Sequence, residues 1–521
     1  MRKLKLNATA AGIALVLSGS AHAVLPGVQT EIFMSGASAP SNMLRENIVQ
    51  FGCDQSDPVN KPIDVYVDFA DQVPGNGNPA LAEPIVEHRS FWVVQCTAAS
   101  TMGSAAGQNI AFYKSDVGGS GNGTTPVHDT NVQLQFMDAN KTNCTSLVTN
   151  QAHGNGGVYN LYTCGQTNLV LQAPDVGASD VEASKFVGQL APASGDFNNA
   201  DGAVKETVGP GLIFGPIVTT SLRNELQKDQ IAANLLPATC TVGDETEACM
   251  PSLPSTVVRG ITAGKYNNWS DISVYGQQLN VPAAFTSVDP KADNVHLCRR
   301  VQGSGTHAEY MMHYHRTNCY VNAQPMLSQP GNGAGFFGNG PLVYENSSSG
   351  TLGSCLDALE KGTGLTTTKI TPDVAAGVKS FGFGYQSTEK NMSLAKDFRY
   401  VKVDGVAPTL ANAIKGDYRQ VYYSGFQDRV GNYVAGALRS VKADATKAKA
   451  IQDFFEASTN INASIVNVLD KGFVHPWGAA GFVSPSATAS TIFTPGNPST
   501  PWTRENAAGN ADSCQPLFKK L

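Results

Sequence analysis

Charge is scarce in this chain. Asp, Glu, Lys and Arg together make up only 15% of its 521 residues, which argues against charged helical bundles. The 36 basic residues are outnumbered by 42 acidic ones, so bulk electrostatics repel nucleic acid and anionic membranes. No C-x-x-C pair occurs, which speaks against a structural zinc site or a thioredoxin-type redox site. Past the first two dozen residues no segment approaches about 18 continuous apolar residues, so no membrane-spanning helix is expected. A G-x-S-x-G elbow is missing too: Gln302 stands two residues before Ser304, and Pro40 two after Ser38. Neither an internal repeat nor a sustained low-complexity tract is visible.

What is present starts with an export signal. Arg2, Lys3 and Lys5 precede an apolar run from Ala8 to Leu17, followed by Ser18-Gly19-Ser20-Ala21-His22-Ala23. This reads as a secretory signal peptide cut after Ala23. Removing its three basic residues takes the formal charge from −6 to −9. No cysteine follows the apolar run, so a lipid anchor is not expected, and the mature protein reads as soluble, periplasmic or secreted. Its 10 cysteines are an even set in an exported chain, which predicts disulfides. Short local loops select Cys53–Cys96, Cys144–Cys164 and Cys240–Cys249, leaving Cys298, Cys319, Cys355 and Cys514 to form the remainder. A chain of this length calls for at least two lobes.

Strand-like runs at Glu31–Met34, Ile63–Val67, Phe91–Val94, Asn168–Gln172 and Phe398–Val403 recur along the chain, and Leu212–Val218 opens its middle third. Helices are expected over Ser41–Val49, with Ser41 and Asn42 available as caps, from Val181 to Phe186, and from Ala443 to Ser458. Strands alternating with helices predict an α/β architecture. Residues 75–78 and 118–125 read as Gly/Asn/Thr-rich loops, the second with Ser120 exposed. The densest chemistry lies at Arg299-Arg300-Val301-Gln302-Gly303-Ser304-Gly305-Thr306, running into His307-Ala308-Glu309. A forked cation, hydroxyls and free N–H groups at a helix start make an anion pocket; the plainer alternative is a Ser/Thr helix cap. Asp180, after a turn, is either a ligand acceptor or a cap. His296, His307, His313 and His315 show no zinc spacing, so neither metal nor cofactor is expected.

Several segments, in order, resemble the phosphate-binding proteins of bacterial ABC phosphate importers, members of the type II periplasmic solute-binding superfamily. They are Ser35-Gly36-Ala37-Ser38-Ala39-Pro40, Asp175-Val176-Gly177-Ala178-Ser179-Asp180, Gly264-Lys265-Tyr266-Asn267-Asn268-Trp269-Ser270-Asp271, Arg299 to Thr306, and the region from Gly382 to Lys415. The resemblance implies an α/β, two-lobed fold with a ligand cleft between the lobes. Residues 1–23 would be the signal peptide and 24–216 lobe I, with disulfide-bearing insertions at about 53–115 and 122–171. Residues 217–384 would form lobe II, and 385–521 the return to lobe I and a C-terminal tail. The insertions are expected to decorate the surface.

It further implies an exported, non-catalytic monomer that binds inorganic phosphate or a similar oxyanion and serves an ABC transporter permease. Arg300 would supply a bidentate cation, Ser304 and Thr306 hydroxyls, Gly305 and Thr306 backbone N–H groups, and Ser120 a further donor. Asp180 would read the proton on the anion, favouring phosphate over sulfate. The chain departs from the family pattern at Gln302, where an acid is expected, and at Pro40-Ser41, where the family has Thr-Phe. Two alternatives remain: a secreted or surface interaction protein that repurposes the fold, and a phosphate-ester hydrolase.

Overall fold

The computed structural model describes residues 27–68, 90–129, 131–152, 158–165, 168–319, 341–363, 377–429, 474–485, 499–506 and 511–519. The signal peptide, the loop at 75–78 and the helix expected over 443–458 lie outside them. The fold is mixed α/β around a large central sheet. Its first strands are β1 (Thr30–Gly36), β2 (Asp64–Asp68), β3 (Phe91–Thr97), β4 (Asn109–Ser115) and β5 (Leu134–Met137). Then follow β6 (Cys144–Ala152), β7 (Val158–Cys164), β8 (Leu169–Gln172), β9 (Val176–Ser179) and the long β10 (Val204–Thr219). The chain continues through β11 (His296–Arg300), β12 (Leu342–Asn346), β13 (Gly382–Ser387), β14 (Phe398–Tyr400) and β15 (Val421–Arg429).

The sheet path is β12-β11-β13-β10-β15-β9-β1-β4-β3-β2-β7-β6. One strand joins its two flanks. The first part of β10 pairs with β15, and its end, Phe214 to Val218, pairs antiparallel with β13. Leu212, Ile213, Phe214, Ile217 and Val218 are all buried, as expected of a strand covered on both faces. On the first flank β1 runs parallel to β4 and β9. On the second, β11 runs parallel to β12 and β13. Parallel neighbours need crossovers, and α1 (Ser41–Asn47) lies on the one from β1 to β4. α2 (Thr220–Ala232) and α3 (Ser255–Thr262) lie between β10 and β11, and α4 (Gly305–His315) and α5 (Ser349–Lys361) on the connections from β11 to β12 and from β12 to β13. The boundaries expected at 216/217 and 384/385 fall inside β10 and β13, where the two strands pair.

Three expectations are corrected. Ser41 and Asn42 do not cap α1; Pro40 holds that position, and the Ser41 hydroxyl is committed to Asp116 Oδ1 at 2.9 Å. The helix expected from Val181 to Phe186 is only a 3₁₀ turn, Ala183–Lys185, because the Ala183 backbone is pinned from outside: its N–H donates to Glu206 Oε1 at 3.0 Å. The insertions are not surface decoration either. Their strands β2, β3, β7 and β6 continue the central sheet beyond β4 and carry a core of their own, with Phe33 stacked on Tyr113 at 4.6 Å and Tyr66 on Tyr162 at 4.9 Å.

The cysteines form Cys53–Cys96, Cys144–Cys164, Cys240–Cys249, Cys298–Cys355 and Cys319–Cys514. The three local pairs are those that loop length selects. Cys298–Cys355 ties β11 to α5. Cys319, just past α4, reaches Cys514, whose neighbours Asp512 and Ser513 are held by Lys185 and Glu182 of the first flank. No helix of the described residues is long and apolar enough to cross a membrane.

Candidate site between the two flanks of the sheet

The site grows from the end of β11. Arg300 is its last residue and is 1% exposed. Two helices begin beside it. Ser304 caps α4, its Oγ accepting from His307 N–H at 3.4 Å, and Ser348 caps α5, accepting from Thr351 N–H at 3.2 Å. The plain cap reading of Ser304 is therefore correct as far as it goes, and the cap sits on the wall of a site. Both helices are long enough for their aligned peptide dipoles to favour negative charge at this end.

Arg300 is heavily committed. Its Nε donates to Asn346 O at 3.2 Å, Nη2 to Ser347 O at 2.8 Å, and Nη1 to the hydroxyls of Ser38 and Ser349 at 3.0 Å each. A single Nη2 hydrogen is left over among the described residues. A bidentate grip on an anion thus requires Ser38 and Ser349, themselves 2.8 Å apart, to yield Nη1. Burial depresses the guanidinium to about 10, opposed by the carboxylates of Asp180 and Asp116, and it stays charged at neutral pH. Gln302, where an acid was expected, is exposed; Arg299 is the residue that meets an acid, Glu345, at 3.2 Å.

The opposing wall comes from the first flank. Asp180 follows β9, is fully buried, and its backbone N–H donates to Ser120 Oγ at 3.0 Å. Ser120 is not an exposed loop residue. It opens a buried 3₁₀ turn, Ser120–Gly123, whose glycines let it close on β9: a Cβ on Gly123 would lie 2.3 Å from Ala178 O. Asp180 Oδ2 accepts from the Thr306 hydroxyl at 3.5 Å, a long contact, while Oδ1 has no partner among the described residues. Burial pushes the carboxyl up to about 7, against the pull of Arg300 and with Glu389 adding to the rise.

The two walls touch. A Cβ on Gly305 would meet Ser120 Oγ at 2.3 Å and Asp180 Oδ2 at 2.7 Å, and Gly121 N–H donates to Gly303 O at 2.5 Å. The structure therefore brings Asp180, Ser120, Ser304, Gly305, Thr306 and Arg300 to one place, closed and dry on every side. Four partners were missed by sequence reasoning. Ser38 lies in the Ser35–Pro40 turn, whose second hydroxyl could have been tested. Ser349 belongs to a Ser-Ser-Ser-Gly run ahead of an apolar-spaced helix, a cap signal with no hint of a second use. Lys114, buried, donates to Gly36 O at 3.2 Å and Ala37 O at 3.0 Å and pairs with Asp116, which fixes the turn that carries Ser38. Glu309 had no signal at all.

The four histidines singled out in the sequence are dispersed. His296 bonds Tyr344, His307 bonds Tyr310, His313 bonds Tyr422 and His315 bonds Thr262, at 2.8 to 3.1 Å.

No protein-family model and no curated protein matches this chain. Solved structures do. One, described as a phosphate ABC transporter substrate-binding protein from Clostridium perfringens with bound phosphate, is 11% identical with a TM-score of 0.34, covering 84% of this chain and 98% of that one. An ABC-type phosphate transport receptor from Vibrio cholerae is 9% identical with a TM-score of 0.33, over 83% and 98% of the two chains. PstS from Borrelia burgdorferi is 10% identical with a TM-score of 0.27, over 82% and 97%. At these identities the likeness concerns the fold alone.

Proposed function

We propose that this chain is an exported binding protein for phosphate or a related tetrahedral oxyanion, holding it between two lobes that close about β10 and β13. The observation that carries the reading is the convergence of a buried Arg300, which the N-terminus of α5 also reaches, and the N-terminus of α4 on a buried acid, Asp180, whose carboxyl burial pushes up to about 7. A cation and two positive helix ends supply attraction. The acid supplies discrimination, because it exchanges a hydrogen bond with a protonated phosphate and repels sulfate, which carries no proton at these pH values. Ser304, Thr306 and Ser120 are hydroxyl donors, Gly305 and Thr306 offer N–H groups, and Ser38 and Ser349 join them once they release Arg300. Asp180 meets the Thr306 hydroxyl only at a long 3.5 Å, which favours binding over ester hydrolysis. The signal peptide expected from the sequence, taken with this site, supports delivery to a membrane permease in the periplasm.

Isothermal titration of the folded protein with phosphate, arsenate and sulfate tests the reading. Binding of phosphate and arsenate with no response to sulfate is the expected result. No heat and no thermal shift with any of the three, on protein of intact circular dichroism, overturns it.

A further inference from the structure

α4 carries Gly305 and Glu309 four residues apart, so both lie on one face of the helix. Gly305 is the residue that presses on Asp180 and Ser120. Glu309, one turn deeper on that face, is 0% exposed, and neither carboxyl oxygen has a hydrogen-bond partner among the described residues. Its charged and titratable surroundings come from every element packed around it: Asp180 after β9, Glu182 in the next turn, Glu389 after β13, Tyr385 in β13, Tyr422 in β15 and Arg504 of the C-terminal segment.

Arg504 is the one cation among these, and it is spent elsewhere. It donates to the carbonyls of Val421, Arg419 and Gln515 and lies 4.8 Å over the Tyr422 ring. On α4 itself, His307 and His313 are kept neutral by burial and engage Tyr310 and Tyr422 through Nδ1. Glu389 has Lys390 at 3.3 Å, so it carries its own counter-ion. Glu309 is left as an unpaired acid next to the acid that reads the ligand.

We propose that Glu309 is a second specificity-determining acid, standing behind Asp180, so that the site accepts its tetrahedral oxyanion only together with protons. The proposal rests on the oxyanion reading above and deepens it. An ionised carboxylate with no partner in a dry interior is costly, so Glu309 holds its proton in the empty site. When an anion arrives, Arg300 and the two helix ends must balance it. Ionisation of either acid would then place a further negative group beside the anion, so both carboxyls remain protonated in the complex. The proton count balances simply: HPO₄²⁻ enters, and Asp180, ionised in part near neutral pH, regains a proton from solvent. At higher pH Glu309 regains one as well.

The test compares wild type with Glu309→Gln, which keeps the shape and removes the titration, by phosphate titration from about pH 6 to about pH 9 in buffers of different ionisation heat. Phosphate's own titration is common to both proteins and cancels in the comparison. Each extra proton taken up costs about tenfold in affinity per pH unit above the group's titration, so the wild type should lose about tenfold or more affinity relative to the variant toward high pH. Parallel pH curves with equal proton uptake overturn the proposal. If Glu309→Gln does not fold, the wild-type proton count decides alone: uptake at alkaline pH no larger than Asp180 and phosphate together account for overturns it. Folded wild type that binds no phosphate at any pH overturns the oxyanion reading instead, a distinct outcome.

Discussion

The two walls of the site are built on opposite principles. On the β11 side the cation that faces the site is engaged: Arg300 has four protein acceptors, and both helix starts are capped by their own serines. The atoms left without a partner there among the described residues, Arg299 Nε and Nη1, His307 Nε2 and Asn346 Oδ1, belong to no acid. On the β9 side polar atoms are left over, with Asp180 Oδ1 and both oxygens of Glu309 unpartnered, although Glu309 belongs by chain to α4. An engaged cation can wait for its ligand at little cost. An unsatisfied acidic wall is destabilising while empty, and it relaxes only when a proton or a donor arrives. On the proposed reading, attraction and selectivity are divided between the two sides.

The largest effect should come from separating the walls. Cys319–Cys514 links α4's end to the segment seated on Glu182 and Lys185, across a sequence separation of 195 residues. Replacing both cysteines by serine should cost about 5 kcal/mol by the loop-entropy relation, read as a lower denaturation midpoint. An unchanged midpoint would mean that packing, not this bond, holds the walls together.

Next is the cationic wall. Arg300→Lys keeps a charge but loses the fork that reaches four oxygens, and it should weaken phosphate binding by about 10- to 100-fold. Equal affinity in the variant would show that the helix ends suffice.

The acidic wall gives a pH signature of opposite sense. Because burial raises Asp180 to about 7, its contribution to folding is fully present below its ordinary carboxylate range. That contribution is lost as pH rises from about 4 to about 7. Ligand-free Asp180→Asn should therefore melt above wild type at about pH 8 and near it at about pH 4. A variant that melts lower at both pH values would contradict the unsatisfied-acid account.

The smallest effect belongs to the hydroxyl pair. Ser349→Ala removes one acceptor of Arg300 Nη1, and should cost about 0.5–1.5 kcal/mol of stability, seen in chemical denaturation. Should the loss be far larger, Ser349 would be bracing α5 rather than parking a donor.

Sequence reading recovered this division unevenly. The β11-to-α4 wall was legible because its chemistry is contiguous: Arg300, Ser304, Gly305 and Thr306 lie within seven residues, and local patterns expose them. The three local disulfides were legible for the same reason. Ser38 and Ser349 were not, since their bonds to each other and to Arg300 span 311, 262 and 49 residues and leave no periodic trace. Glu309 was hidden differently. An acid on a short helix ordinarily faces water, and only the packing of α4 against β13 and the β9 turn shows that this one does not. The added strands were mistaken for decoration because pairing beyond β4 depends on register with distant partners such as Asp64 with Asn160.

The central claim is that a tetrahedral anion lies between Arg300 and Asp180. A crystal structure of protein grown with phosphate addresses it directly. The account predicts tetrahedral density bonded to Arg300 Nη1, the Thr306 hydroxyl and Asp180, with Ser38 and Ser349 turned from the guanidinium toward the anion. Arg300 still bound by both serines, with no density between it and Asp180, would contradict the account.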